Sequence, residues 1–102
     1  MEIFMKKLTP VDIKRHLELP TDTKREALPF QGARDIEFPI MFEAGMEEQA
    51  GMEVDVHCSC RSGRLAFTKG WIRIVKHVGL NAGDVVTLRR EDQGGYKMTV
   101  KK

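Results

Sequence analysis

His57, Cys58 and Cys60 place an imidazole and two thiols within four positions of the run HCSCRSGR at residues 57–64, and Arg61 and Arg64 follow with Ser62 and Gly63 between them. These residue types support two incompatible chemistries. Ring nitrogens and thiolates are metal ligands, whereas an Arg-Ser-Gly-Arg loop suits a polyanion, because guanidinium forks grip phosphates and guanine edges. A closed zinc site needs four ligands, and no second cysteine or histidine pair exists; His16 and His77 stand alone. Nor can His57 readily act as a base toward Cys58 on a strand, since adjacent strand residues face opposite ways. The chain has no glycine-rich phosphate loop before a helix, no HExxH and no GxSxG, the motifs that would carry phosphate, zinc or serine chemistry. No catalytic residue, metal or cofactor is expected.

The elements that must carry these residues can be read from hydrophobic period. Met52, Val54, Val56, Cys58 and Cys60 alternate with Glu53, Asp55, His57, Ser59 and Arg61, which predicts a strand with both cysteines on its apolar face and His57 on the other. IEFPIMF at 36–42 alternates in the same way, and Pro39 assigns that strand to an edge or bulge. Near the end, Val86 and Leu88, then Tyr96, Met98 and Val100, flank the turn residues Asp92 to Gly95 and predict a hairpin. Shorter strand candidates are residues 3–8, 16–19 and 64–67. Six or seven short strands in about 100 residues favour a barrel or sandwich, which protects sheet edges.

Two helices interrupt the strands. Thr23 and Glu26 have capping-box spacing and Pro29 would stop the helix they open. TKGWIRIVKHVG places Trp71, Ile74, Val75 and Val78 on one helical face, with Lys69, Arg73 and Lys76 opposite. The stretch EAGMEEQAGM reads as an exposed hairpin connection.

Length and charge bound the rest. A chain of 102 residues with 41% hydrophobic residues is read as one domain able to bury its own core. The absence of a ~20-residue apolar run and of a signal-peptide pattern leads to a soluble, intracellular expectation, and a C-x-C pair suits a reducing compartment. Net charge is only +2, but seven of the fifteen carboxylates lie from Asp35 to Asp55, where no Lys or Arg occurs. The remainder carries seventeen cations against eight carboxylates, a formal +9. This asymmetry predicts an acidic side and one positive working face.

The ordered combination of KKLTPVDIKRHLELP, FTKGWIRIVKHVGLNAGDVVTLRRE and YKMTVKK resembles the plant-specific B3 DNA-binding domain over nearly the whole chain. TKGW, an apolar-spaced helix and then L-x-A-G-D-V-V are the most specific part. The resemblance implies a mainly β fold, a seven-stranded open pseudobarrel with two short α-helices, whose two loop-bearing arms enter the major groove of double-stranded DNA. Carried onto this chain, the first arm is Thr9 to His16, with Thr9, Lys14, Arg15 and His16 as candidate contacts. The second is Ser59 to Arg64, with Ser59, Cys60, Arg61, Ser62 and Arg64; Lys69 is a further backbone contact at the helix entrance.

The implied role is a transcription regulator acting in the nucleus, as a monomer when isolated, with neither membrane nor small-molecule partner. Asp12 and Asp84, each beside a turn, read as supporting residues rather than acids for catalysis. Two alternatives compete: a diverged barrel whose arms form a protein-interaction surface without DNA binding, and a bacterial-type swapped-hairpin DNA binder sharing the L-x-x-G-D-V-V turn. The latter usually needs about half this length per chain.

Overall fold

The computed structural model describes residues 1–30, 32–43 and 52–101; most of the EAGMEEQAGM connection lies outside them. Seven strands form one sheet: β1 (Glu2–Lys7), β2 (Leu17–Glu18), β3 (Asp35–Glu43), β4 (Met52–Arg61), β5 (Arg64–Phe67), β6 (Val85–Arg90) and β7 (Tyr96–Lys101). Their spatial order is β1-β6-β7-β3-β4-β5-β2, antiparallel throughout except for β3 against β7. Two α-helices, α1 (Pro10–Lys14) and α2 (Trp71–Val78), complete the fold. The mainly β, two-helix architecture is the one expected. Among the described residues no helix is long and apolar enough to cross a membrane.

Alternation decides which side of the sheet becomes the interior. Phe38, Ile40 and Phe42 of β3, Val54, Val56 and Cys58 of β4, and Val86, Leu88 and Met98 of the β6–β7 hairpin are all buried. Rings then bridge strands that are not neighbours. Phe67 of β5 meets Phe4 of β1 edge-on at 5.9 Å and Phe38 of β3 at 6.1 Å, and Phe38 also meets Tyr96 of the adjacent strand β7 at 4.8 Å. These contacts require the sheet to curl around one apolar core, bringing its terminal strands β1 and β2 towards each other. At that seam Lys24 N–H donates to the Ile3 carbonyl at 3.0 Å, and Lys6 Nζ donates to the Glu18 carbonyl. The barrel is closed there by isolated bonds rather than a ladder.

Pro39 shows how an edge residue fits a central strand. β3 stands between β4 and β7, but β7 pairs only with Met41, Phe42 and Glu43, while Pro39 is opposite Asp55 of β4. Its missing N–H therefore falls where β3 has a partner on one side only.

The first helix differs from expectation. The Thr23–Glu26 region makes only a single 3-10 turn at Arg25–Ala27, because the Thr23 hydroxyl donates back to the Pro20 carbonyl at 2.6 Å instead of capping forward. The capping box lies instead at Thr9 and Asp12: Thr9 Oγ1 accepts from Asp12 N–H at 3.3 Å and Asp12 Oδ2 accepts from Thr9 N–H at 2.8 Å. Pro10 at the first helical position is preorganised for that turn. α2 follows its expected pattern, with Trp71, Ile74 and Val75 buried and Arg73 and Lys76 exposed.

Candidate nucleic-acid interface

The second predicted arm is a β-ribbon rather than a loose loop. β4 continues to Arg61, β5 begins at Arg64, and Ser62 and Gly63 alone make the turn. Their φ angles are +52° and +79°, the consecutive positive values that a two-residue I′-type hairpin requires. The register then sets Arg61 directly opposite Arg64, both exposed at the tip. Like charges facing each other across a strand pair are unfavourable for folding, so this pair is not explained by stability.

Cross-strand pairing extends the surface on both sides of the ribbon. His57, Ser59 and Arg61 occupy the outer face of β4; Asp35 and Glu37 of β3 stand opposite Ser59 and His57, and Ala66 of β5 stands opposite Ser59 and Glu18 of β2. Together with His16 and Lys69 they line a cleft of about 810 Å3. Of the predicted contacts, His16, Ser59, Arg61, Arg64 and Lys69 are therefore brought together in one place. Ser59 is nearly buried in its floor.

The other predicted residues are distributed differently. Cys60 faces away from Ser59 and Arg61, is half-buried against the core, and accepts from Arg25 Nη2 at 2.9 Å. It shares a smaller neighbouring cleft with Arg61, Ser62 and Gly63. Lys14 and Arg15 are exposed at the end of α1, and the Thr9 hydroxyl serves the helix cap. The first arm is thus a capped helical turn and its exit, not an extended loop.

Asp12 holds that turn against the barrel. Its buried carboxylate accepts from Lys6 Nζ at 3.1 Å, Thr9 N–H at 2.8 Å and Glu18 N–H at 3.4 Å, and its carbonyl accepts the Trp71 indole N–H at 2.6 Å. Asp84 has a matching role in the L-N-A-G-D turn, accepting from Asn81 N–H at 2.9 Å. Both are supporting residues, as their turn positions suggested.

The metal reading fails on register. Cys58 is fully buried among the core side chains, while His57 opens into the cleft; burial, with Cys60 beside it, pushes the Cys58 thiol up to about 12. Among the described residues no three His, Cys, Asp or Glu side chains converge to hold a metal ion.

One electrostatic expectation is corrected. The acidic stretch is not segregated from the basic face: Asp35 and Glu37 line the same cleft as Arg61, Arg64 and Lys69, and Glu18 joins them from β2. Glu18 Oε1 lies 3.4 Å from Arg64 Nη1, and Asp35 Oδ1 lies 3.4 Å from His57 Nε2. Linear charge blocks missed this because antiparallel pairing carries β3 alongside the basic hairpin. Alternation of Asp35 and Glu37 with Ile36 and Phe38 was the available signal; the partner strand was not.

No family model and no curated protein matches the chain. Solved structures do match. The protein of the Arabidopsis FUS3–DNA complex superposes with a TM-score of 0.74 at 18% identity, covering 100% of this chain and 98% of that one. A hypothetical protein of Arabidopsis thaliana superposes with a TM-score of 0.70 at 19% identity, over 99% and 91% of the two chains. The likeness is one of fold, and the fold is the B3 pseudobarrel.

Proposed function

We propose that this chain, a B3-type pseudobarrel, is a sequence-selective double-stranded DNA-binding module of a transcription regulator. The observation that carries the reading is the β4–β5 ribbon, whose exposed tip sets Arg61 against Arg64 at a cost to the fold. A B-DNA major groove about 12 Å wide admits a two-stranded ribbon. The ribbon enters the groove with Arg61 and Arg64 leading; Lys14 at the end of α1, with Arg15 and His16 just after it, forms the other arm, and Thr9, Ser59, Ser62 and Lys69 supply further polar contacts. The FUS3 match supports the reading because that protein was solved with DNA. The module acts as a monomer in the nucleus, without catalysis or cofactor.

Carboxylates in the cleft favour a second reading. Glu18, Asp35 and Glu37 beside Arg61, Arg64 and Lys69 make a mixed-charge surface of the kind found between proteins, so the arms of a diverged barrel would contact a protein instead. Fluorescence anisotropy against a pool of random duplexes at low salt separates the two. DNA binding predicts an affinity that falls by about 0.9 log units per tenfold rise in salt for each phosphate neutralised. Absence of any salt-dependent binding would overturn the DNA reading in favour of the protein-interaction one.

A further inference from the structure

A polyanion-binding face has no evident use for carboxylates, yet the strand register gives two of them defined places. Glu18 of β2 pairs with Ala66 of β5, Ala66 with Ser59 of β4, and Ser59 with Asp35 of β3. Residues in one cross-strand row share a face. The row therefore runs carboxylate, methyl, hydroxyl, carboxylate, with a floor of small side chains between two acids. Strands stand about 4.8 Å apart, so β2 and β3 are separated by about 14 Å, comparable with the width of about 12 Å of the groove the ribbon would enter. One carboxylate flanks the ribbon on each side.

Each acid also engages a nitrogen in an adjacent row. Glu18 reaches Arg64, in the Arg61–Arg64 row at the tip, and Asp35 reaches His57, in the His57–Glu37 row further from it, both at 3.4 Å. An arginine has five N–H donors, so one bond to Glu18 leaves others free for a base edge. Released, the same guanidinium is attracted to phosphates, which are present at every position and carry no sequence information. The negative charge of each acid also opposes binding that depends on phosphates alone.

Building on the DNA-binding reading, we propose that Glu18 and Asp35 are positioning residues for base selectivity, holding Arg64 and His57 over the Ala66–Ser59 floor and away from the phosphate walls. Neutralising them has two consequences of opposite sign: non-specific affinity rises and discrimination among sequences falls. A residue needed only for folding would lower both. Both pairs are solvent-exposed, with side-chain exposures of 80% and 54% for Arg64 and Glu18 and 31% and 55% for His57 and Asp35, so they contribute little to stability. Glu18→Gln also leaves intact the backbone bonds that Glu18 makes to Asp12 and Lys6.

The test starts with the wild-type chain selecting its preferred duplex from a random library. Affinities of wild type, Glu18→Gln and Asp35→Asn for that duplex and for a random duplex are then measured by anisotropy across a salt series, with thermal midpoints as the check on folding. Affinity for the random duplex is expected to rise about threefold in each variant, through loss of one repelling charge. The ratio of selected to random affinity is expected to fall about tenfold, the discrimination carried by one bidentate base contact, with unchanged midpoints. Equal gains on both duplexes, or an unchanged ratio, would overturn the inference. So would a wild-type protein that binds all duplexes alike, although DNA binding itself would stand. A wild-type protein that binds no duplex would instead remove the functional reading on which the inference rests.

Discussion

Trp71 Nε1 donates a buried hydrogen bond of 2.6 Å to the backbone carbonyl of Asp12, 59 residues away. It ties the start of α2 to the centre of α1. The Asp12 carboxylate continues the connection to Lys6 of β1 and to the backbone of Glu18 in β2. The arm that carries Lys14 and Arg15 is thereby fixed to three other elements through one residue.

Trp71→Phe should preserve most of the ring packing but leave that carbonyl without its donor, at a cost of about 2 kcal/mol. Asp12→Ala should cost more, about 3 kcal/mol, because it leaves Lys6 without its buried counter-charge. Urea unfolding of the two variants checks the order. If Trp71→Phe proves the more damaging, the indole acts mainly through its volume rather than its N–H.

The glycine of TKGW has a steric cause. Gly70 adopts φ +89°, and a Cβ there would meet the Asp55 carbonyl oxygen at 2.2 Å, where the TKG segment is bonded to β4 through His57 N–H to Lys69 O and Thr68 N–H to His57 O. Gly70→Ala should therefore cost more than about 3 kcal/mol or abolish folding. Gly63, at φ +79° with open space around it, bears only the left-handed penalty, and Gly63→Ala should cost about 1 to 2 kcal/mol. Equilibrium unfolding of the pair distinguishes the clash from the dihedral.

Those glycines also mark how far the sequence could be read. Alternation revealed β3, β4 and the β6–β7 hairpin because each buries one face, and Trp71, Ile74 and Val75 revealed α2 for the same reason. α1 was missed: five residues provide too little period, and its Thr9–Asp12 box has the same spacing as the Thr23–Glu26 pair that does not cap a helix. What separates them is that the Thr23 hydroxyl is taken by Pro20 and the Lys24 N–H by Ile3 across the barrel seam. Long-range pairing also put Asp35 beside Ser59 and Glu18 beside Ala66. Arg61 and Arg64 could be named as candidates from their types, whereas the acids beside Arg64 and His57 in the cleft depend on which strands become neighbours.

The two cysteines should differ in reactivity. Cys58 is fully buried and its thiol is pushed up to about 12, whereas Cys60 is half-buried near the ribbon tip. Alkylation of the native protein at neutral pH should modify Cys60 alone, with Cys58 following only in denaturant; mass spectrometry of the digested protein reads this directly. A Cys58 thiol of about 12, against 9.0 for the ordinary group, also makes stability depend on pH. The contribution is fully present below pH 9 and declines as pH rises towards 12, because the unfolded thiol ionises first. Cys58→Ala should lower stability at neutral pH by opening a small void, yet flatten that part of the alkaline decline.

Arg61 and Arg64 bring the functional reading to its most direct mutational test. Both are exposed, and each faces a like charge across the ribbon, so Arg61→Ala and Arg64→Ala should leave the thermal midpoint unchanged or slightly raised. Their effects on DNA should nevertheless depend on what each touches. A guanidinium on a phosphate would weaken binding to all sequences alike and reduce the salt slope by about 1. One on a guanine edge would cost about 1 to 3 kcal/mol of discrimination at a single base pair. Anisotropy across salt, combined with site selection by each variant, assigns the two arginines to these roles. Parallel loss of folding and binding would show instead that the hairpin tip is structural, because a fold that needs both like-charged residues cannot be using their repulsion as a reserve for an anion.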